Sequence, residues 1–267
     1  ERERAAQQLF QTTSKLQTFF EAFPDIYFWL DGTTTIHQHS FTGAFQVLLG
    51  SSIHSRYSFQ ESQVINEHFS IGKLSLEEVQ LLKVKDVRTI RAGRNFIHSL
   101  FHLDRPSATI TIRTDHTPSA AVQYDYRYPH FAFNPFFRNP LLSKKLQTVA
   151  LLLGMKHKNA DAMIGDLVCA SDFHTAYFVL EQVYQGLRTN EMDELFGLSL
   201  GKDRFKAILD RCKHTHGELT DLVLSVLEEQ ERQLSIIKRR GTITSDDHRF
   251  FLALLLNIRN RQKVLEL

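Results

Sequence analysis

The chain reads as an α+β protein: an N-terminal helix, then a small all-β region, then an all-helical region of similar size. Three observations predict this. Between about residues 25 and 133, short segments rich in aromatic and β-branched residues alternate with turns at a period near ten residues, the pattern of a β-sandwich or small barrel. All six prolines lie at or before Pro140. Beyond Pro140, apolar residues recur at helical spacing.

Residues 4–23 carry Leu9, Phe10, Leu16, Phe19, Phe20 and Phe23 near helical spacing, and Pro24 stops the run. Residues 26–30 form the first expected strand, ended by the turn signal Asp31-Gly32. Further strands are expected at 33–39, 44–49, 52–59, 87–90, 97–103, 108–114 and 121–128. One helix should interrupt them at 75–83, where Ser75 and Glu78 have capping-box spacing. The stretch from Asn134 to Pro140, NPFFRNP, marks a boundary. The expected division is therefore 1–24, 25–138 and 139–267. Helices are expected at 143–153, 160–169, 172–187, 202–213, 217–238 and 246–264. The strongest is 217–238, with an apolar stripe of Leu219, Leu222, Val223, Val226, Leu227, Leu234 and Ile237. Thr244 or Ser245 can cap the last.

Hydrophobic residues make up 42% of the 267 and charged residues 23%, a globular balance. A net charge of +2 gives no electrostatic case for nucleic acid. The short run Lys238-Arg239-Arg240 fits a solvated helix end. Cys169 and Cys212 are too few for a disulfide scaffold, and they predict a reducing, cytoplasmic setting. No apolar run approaches the roughly 18 residues of a membrane span, so no membrane partner is expected. The 21 phenylalanines imply an aromatic-rich core or pocket.

The chemistry concentrates in the β-region. On a strand, residues i and i+2 share a face, so His37 and His39 present two imidazoles to one side. Imidazole is a common ligand for first-row metals, but a catalytic site usually takes a third protein ligand. The best source is the stretch 91–114. Gly93 at a turn leads into a strand carrying His98; a polar turn, Pro106 and a Thr/Ile-alternating strand follow. His102 shares a face with His98 but sits near the next turn, and is the lower-ranked alternative.

Gly32, His37-x-His39 and an apolar strand closing at Gly50 resemble the first cupin motif. Gly93, His98 and Pro106 resemble the second. The resemblance covers roughly residues 25–130. It implies a cupin-like small β-barrel, a double-stranded β-helix, in which His37, His39 and His98 hold one metal. Cupins usually place a glutamate four or five residues after the second histidine. Here Gly43 and Ala44 stand there, and the nearest polar residue, Gln46, is a poor ligand. A three-histidine set resembles that of thiol dioxygenases of the cysteine dioxygenase type, which implies Fe(II), with Zn, Ni or Mn as alternatives. A neutral triad leaves the ion its full charge and open positions for an anionic substrate and O2. Small residues at 43 and 44 should leave room beside it. Oxygenases using 2-oxoglutarate carry His-x-Asp/Glu, which 37–39 lack.

An anionic substrate calls for a cation, for which Arg56, Arg94 and Arg113 are candidates. Tyr124 and Tyr126 share a face and are candidate acids or hydrogen-bond donors. In the helical half, His174, His214, His216 and His248 are read as polar chemistry rather than a second metal site, and Cys169 as a small buried residue. The expected function is a mononuclear non-haem Fe(II) dioxygenase acting on a small anionic organic substrate. The alternatives are a small-ligand-binding module, or a Zn- or Ni-dependent hydrolase or isomerase on the same triad. The helical region would cap the barrel, select the substrate or mediate a homodimer.

Overall fold

The structure, a computed structural model, describes residues 27–29, 35–114, 122–187 and 200–259. The expected helix at 4–23 lies outside these residues.

Among the described residues, ten strands come first: β1 (Tyr27–Trp29), β2 (Ile36–His37), β3 (Gly43–Leu49), β4 (Ser52–Asn66), β5 (Phe69–Leu82), β6 (Val87–Ile90), β7 (Ile97–His102), β8 (Ala108–Arg113), β9 (Asp125–Arg127) and β10 (Phe131–Phe133). Six of them close an antiparallel barrel in the order β10-β5-β4-β7-β2-β9, and the other four form a sheet in the order β1-β8-β3-β6. This layout is in line with the expected cupin-like β-barrel. Six helices follow: α1 (Pro140–Gly154), α2 (Ala160–Cys169), α3 (Phe173–Leu187), α4 (Leu200–His216), α5 (Leu219–Arg240) and α6 (Asp246–Asn257). None of them is long and apolar enough to cross a membrane.

The helix expected at 75–83 is instead the second half of β5. Its register against β4 runs unbroken in direction from Asn66↔Phe69 to Ser52↔Leu82. The backbone groups that a capping box would serve are satisfied by this ladder. Leu74 and Leu82 are buried while Val79 and Leu81 are exposed, the alternation of a strand with one face inward. Register shifts at Arg56/Tyr57, Glu61/Gln63 and Val64/Asn66 bend the hairpin.

The two sheets enclose an apolar cluster of Phe41, Phe45, Val47, Leu82, Ile90, Phe96 and Leu100. Gly43 allows the closest strand approach there: a Cβ at this position would lie 2.2 Å from the Ile112 carbonyl oxygen on β8. So the space at Gly43 belongs to strand contact, not to a ligand. Ala44 pairs with Thr89 and Ile112, one step out of phase with the buried Phe45. The room expected beside the metal at 43 and 44 is therefore not provided by these residues.

The NPFFRNP stretch ends in a helix start. Pro140 is at the first turn of α1, and the Asn139 side chain accepts from the Leu141 and Leu142 amides at 3.0 and 3.1 Å. The helices bury a second apolar core that includes Ile164, Val168, Val179, Leu180, Val183 and Val226, and it reaches Phe69 and Phe131 of the barrel. The Lys238-Arg239-Arg240 run is not simply solvated. Arg240 is 2% exposed and donates to the His102 carbonyl at 2.6 Å. Its neighbour Arg249 donates to the Leu103 carbonyl at 2.7 Å. The last helix ends at Asn257, with Ile258 extended. Cys169 is half-buried, and its sulfur lies 3.9 Å from that of the buried Cys212.

Candidate metal centre

His37 and His98 are opposite each other in the β2–β7 ladder, so both side chains project to one face of the barrel wall. His39 follows two residues after His37. It is held by an isolated parallel bridge to Ala92 and by the Gly93 amide, which donates to the His39 carbonyl at 2.7 Å. Gly93 has φ +75°, a left-handed conformation that glycine adopts without strain. The β2–β7 ladder and this backbone hydrogen bond thus join the two sequence motifs.

The three rings converge. Centroid distances are 4.6 Å for His37–His39, 4.7 Å for His37–His98 and 5.1 Å for His39–His98. One nitrogen from each lies within 4.8 Å of the others. The His39 and His98 Nε2 atoms are 2.9 Å apart. Metal–nitrogen bonds of about 2.1 Å at right angles would put two ligand nitrogens about 3 Å apart. The donor set therefore fits a first-row metal ion.

Two of the rings are also aimed by outer partners. His37 Nδ1 donates to the Thr35 carbonyl at 2.8 Å, which leaves its Nε2 lone pair for the site. His98 Nδ1 faces Nε2 of His54 at 3.1 Å. His54 comes from β4, is 1% exposed, and packs against Phe45 and Phe96. Such outer partners fix tautomer and orientation in metal sites. Burial first, then His37 and the Arg113 guanidinium, push His39 down to about 3. Burial, with His37, His39 and His54 adding, holds His98 well below the usual histidine range. Both are neutral at pH 7, the form a metal requires.

The other expected residues separate. Arg113 lies in the pocket with the triad, its guanidinium carbon 4.9 Å over the Phe41 ring. Arg56 pairs with Glu78 at 3.5 Å. Arg94 pairs with Glu61 and lies over Phe59 and Tyr124. Neither lines the pocket. Tyr124 and Tyr126 face an apolar cluster with Ile36, Tyr57 and Leu74; Tyr124 donates to the Glu67 carbonyl at 2.6 Å. Tyr126 donates to Gln38, the residue between the two ligand-spaced histidines, and so braces the motif from behind. The residue between the tyrosines, Asp125, has the opposite parity. It pairs with His37 across β2–β9 and lines the pocket. Its carboxylate accepts from the Thr35 hydroxyl at 3.2 Å, and burial raises its pKa. His102 is fully buried one turn of the pleat beyond Leu100, bonded to the Ser52 hydroxyl at 2.7 Å, and is outside the triad. Gln46 reaches the Lys85 carbonyl at 3.2 Å instead. His54 and Asp125 are titratable site residues that sequence reasoning missed.

The pocket holds about 460 Å³. Its floor is the apolar cluster between the sheets, and Pro135 and Phe136 of the barrel-to-helix connection stand at its rim.

No protein-family model matches the chain, and no curated protein does either. Among solved structures, it is similar to three of oxalate oxidase, two of them complexes with glycolate. Identity is 16% and the TM-scores are 0.22–0.23, over 46% of this chain and 54% of each of those. The chain thus matches about half the length of those proteins. Scores that low carry no argument.

Proposed function

We propose that this protein is a mononuclear metal-dependent dioxygenase, with His37, His39 and His98 holding one Fe(II). Its substrate is a small anionic organic molecule that binds beside the ion together with O2. The observation that supports this most is the 2.9 Å approach of two neutral imidazole nitrogens, those of the half-buried His39 and the buried His98, with a third close by on His37. When bound, Fe(II) would supply the one-electron chemistry that O2 requires. The chain's part is positional. His54 and the Thr35 carbonyl turn two ligand rings so that bare nitrogens face the pocket. Arg113 supplies the positive charge that orients an anionic group. Phe41, Phe45 and Leu100 keep water from the inner wall. Asp125 lies where it can accept a proton from a bound group.

The alternative with specific support is a Zn- or Ni-dependent hydrolase or isomerase. Asp125, a half-buried carboxylate in the same pocket, could then serve as general base.

The test is O2 uptake by protein reconstituted anaerobically with Fe(II), on a panel of organic acids, beside Zn-loaded protein and a His98→Ala variant. Uptake only in the Fe(II) protein supports the reading. Turnover without O2 in the Zn protein overturns it in favour of the alternative.

A further inference from the structure

The pocket is larger and more apolar than a small anion needs. Taking the proposed function as its starting point, we infer that the substrate is an aryl- or alkyl-substituted acid, whose apolar body of about one ring fills the cavity beyond the triad.

Charge and apolar surface are segregated in the site. Arg113 sits over Phe41, and Phe41 lies 4.5 Å from the His39 ring. An anionic head held by Arg113 is therefore placed next to the triad. Thr109 and Thr111 extend the same inward row of β8, so hydroxyls continue the polar strip. Away from that strip the walls are Phe45, Ile90, Leu100, Pro135 and Phe136, with Gln123 and Asp125 as one polar point. The cavity of about 460 Å³ falls in the range of about 300–1,000 Å³ typical of sites that enclose ligands well above amino-acid size. A substrate consisting of its head alone would leave this surface wet.

The rim points the same way. Phe136 is 63% exposed at the pocket mouth. It follows Asn134, whose side chain accepts from the Phe136 amide at 2.9 Å and whose amide donates to the His68 carbonyl at 2.9 Å. The backbone that carries this ring is fixed while the ring itself faces water. An apolar ligand body seated over the inner aromatics would cover it.

Calorimetric titration of the Mn(II)-loaded full chain with 3-phenylpropionate and with propionate tests this, with metal content measured on the same samples. The two probes share a head and differ by the ring. Phenylpropionate should bind at least tenfold more tightly. Phe136→Ala, which touches no core contact, should weaken phenylpropionate three- to tenfold and leave propionate unchanged. Arg113→Met should weaken both alike. Equal binding of the two probes, binding of neither, or an unaffected Phe136→Ala variant, in protein holding one metal per chain, overturns this inference alone. A preference for phenylpropionate in protein that takes up no metal supports the apolar pocket and overturns the metal reading.

Discussion

His54 shows how much of the site lies behind its first ring of residues. Its Nε2 faces His98 Nδ1, and its own Nδ1 is buried without a partner among the described residues. A buried polar atom left unpaired costs about 1–3 kcal/mol, a cost that orienting His98 can justify. His54→Phe should therefore lower metal affinity about 10- to 100-fold, while His54→Gln, which keeps a polar partner, should lose less. Competition titration of metal-free protein with a chelator reads both. Gly43→Ala tests the strand approach: its Cβ meets the Ile112 carbonyl, and overpacking of this kind costs about 1–3 kcal/mol, measurable by urea unfolding. The triad was legible because strand alternation is local: His37 and His39 share a face whatever pairs with them. Tyr124, Asp125 and Tyr126 follow the same alternation, but which parity faces inward depends on β9 pairing with β2 and β10. That pairing is non-local, so the tyrosines were named and the aspartate between them was missed. Arg113 could be separated from Arg56 and Arg94 only through the fold, which of the three puts Arg113 alone in the wall of the pocket.

At the scale of elements, short strands and amphipathic helices follow from periodicity, and most expected segments coincide with those observed. The helix expected at 75–83 did not, because a capping box is worth about 1 kcal/mol and a ladder with β4 along the whole of β5 outweighs it. The α3–barrel contact carries a pH prediction. His174 packs on Phe69 and Phe137, and its Nδ1 meets the Asn66 amide nitrogen at 3.2 Å. Asn66 Oδ1 accepts from the His68 amide, which fixes the amide with its NH2 toward His174. That donor has no place for a protonated Nδ1, and burial lowers the His174 pKa. The unfolded chain then binds a proton that the folded chain refuses. This stabilising contribution is complete above the unfolded value of about 6.5 and is lost as pH falls below it. Urea unfolding of metal-free protein at pH 7.5 and 5.5 should show a smaller acid loss in His174→Gln than in wild type.

Across the whole molecule, barrel and helices are fastened by an apolar patch and by buried polar side chains, one of which, Arg240, belongs to the run that sequence reasoning placed at a solvated helix end. Ile53, Phe101 and Leu103 pack against Ile236, Leu252 and Ala253, Tyr57 donates to Asn257 at 2.9 Å, and Arg240 and Arg249 hold the carbonyls at the end of β7. A basic run reads as surface by default, and only the fold reveals that its last member is buried. Arg240→Ala leaves the His102 carbonyl without this donor and should cost about 1–3 kcal/mol, seen as a lower thermal midpoint. Because β7 also carries His98, the same contacts tie the helical half to the triad. Everything proposed for the site depends on this triad binding one metal ion. Elemental analysis of anaerobically purified, Fe(II)-supplied wild type beside His37→Ala and His98→Ala measures it directly. Close to one metal per chain is expected in the wild type, and less than a tenth of that in either variant. Wild type without stoichiometric metal, or variants that retain it, would contradict the account.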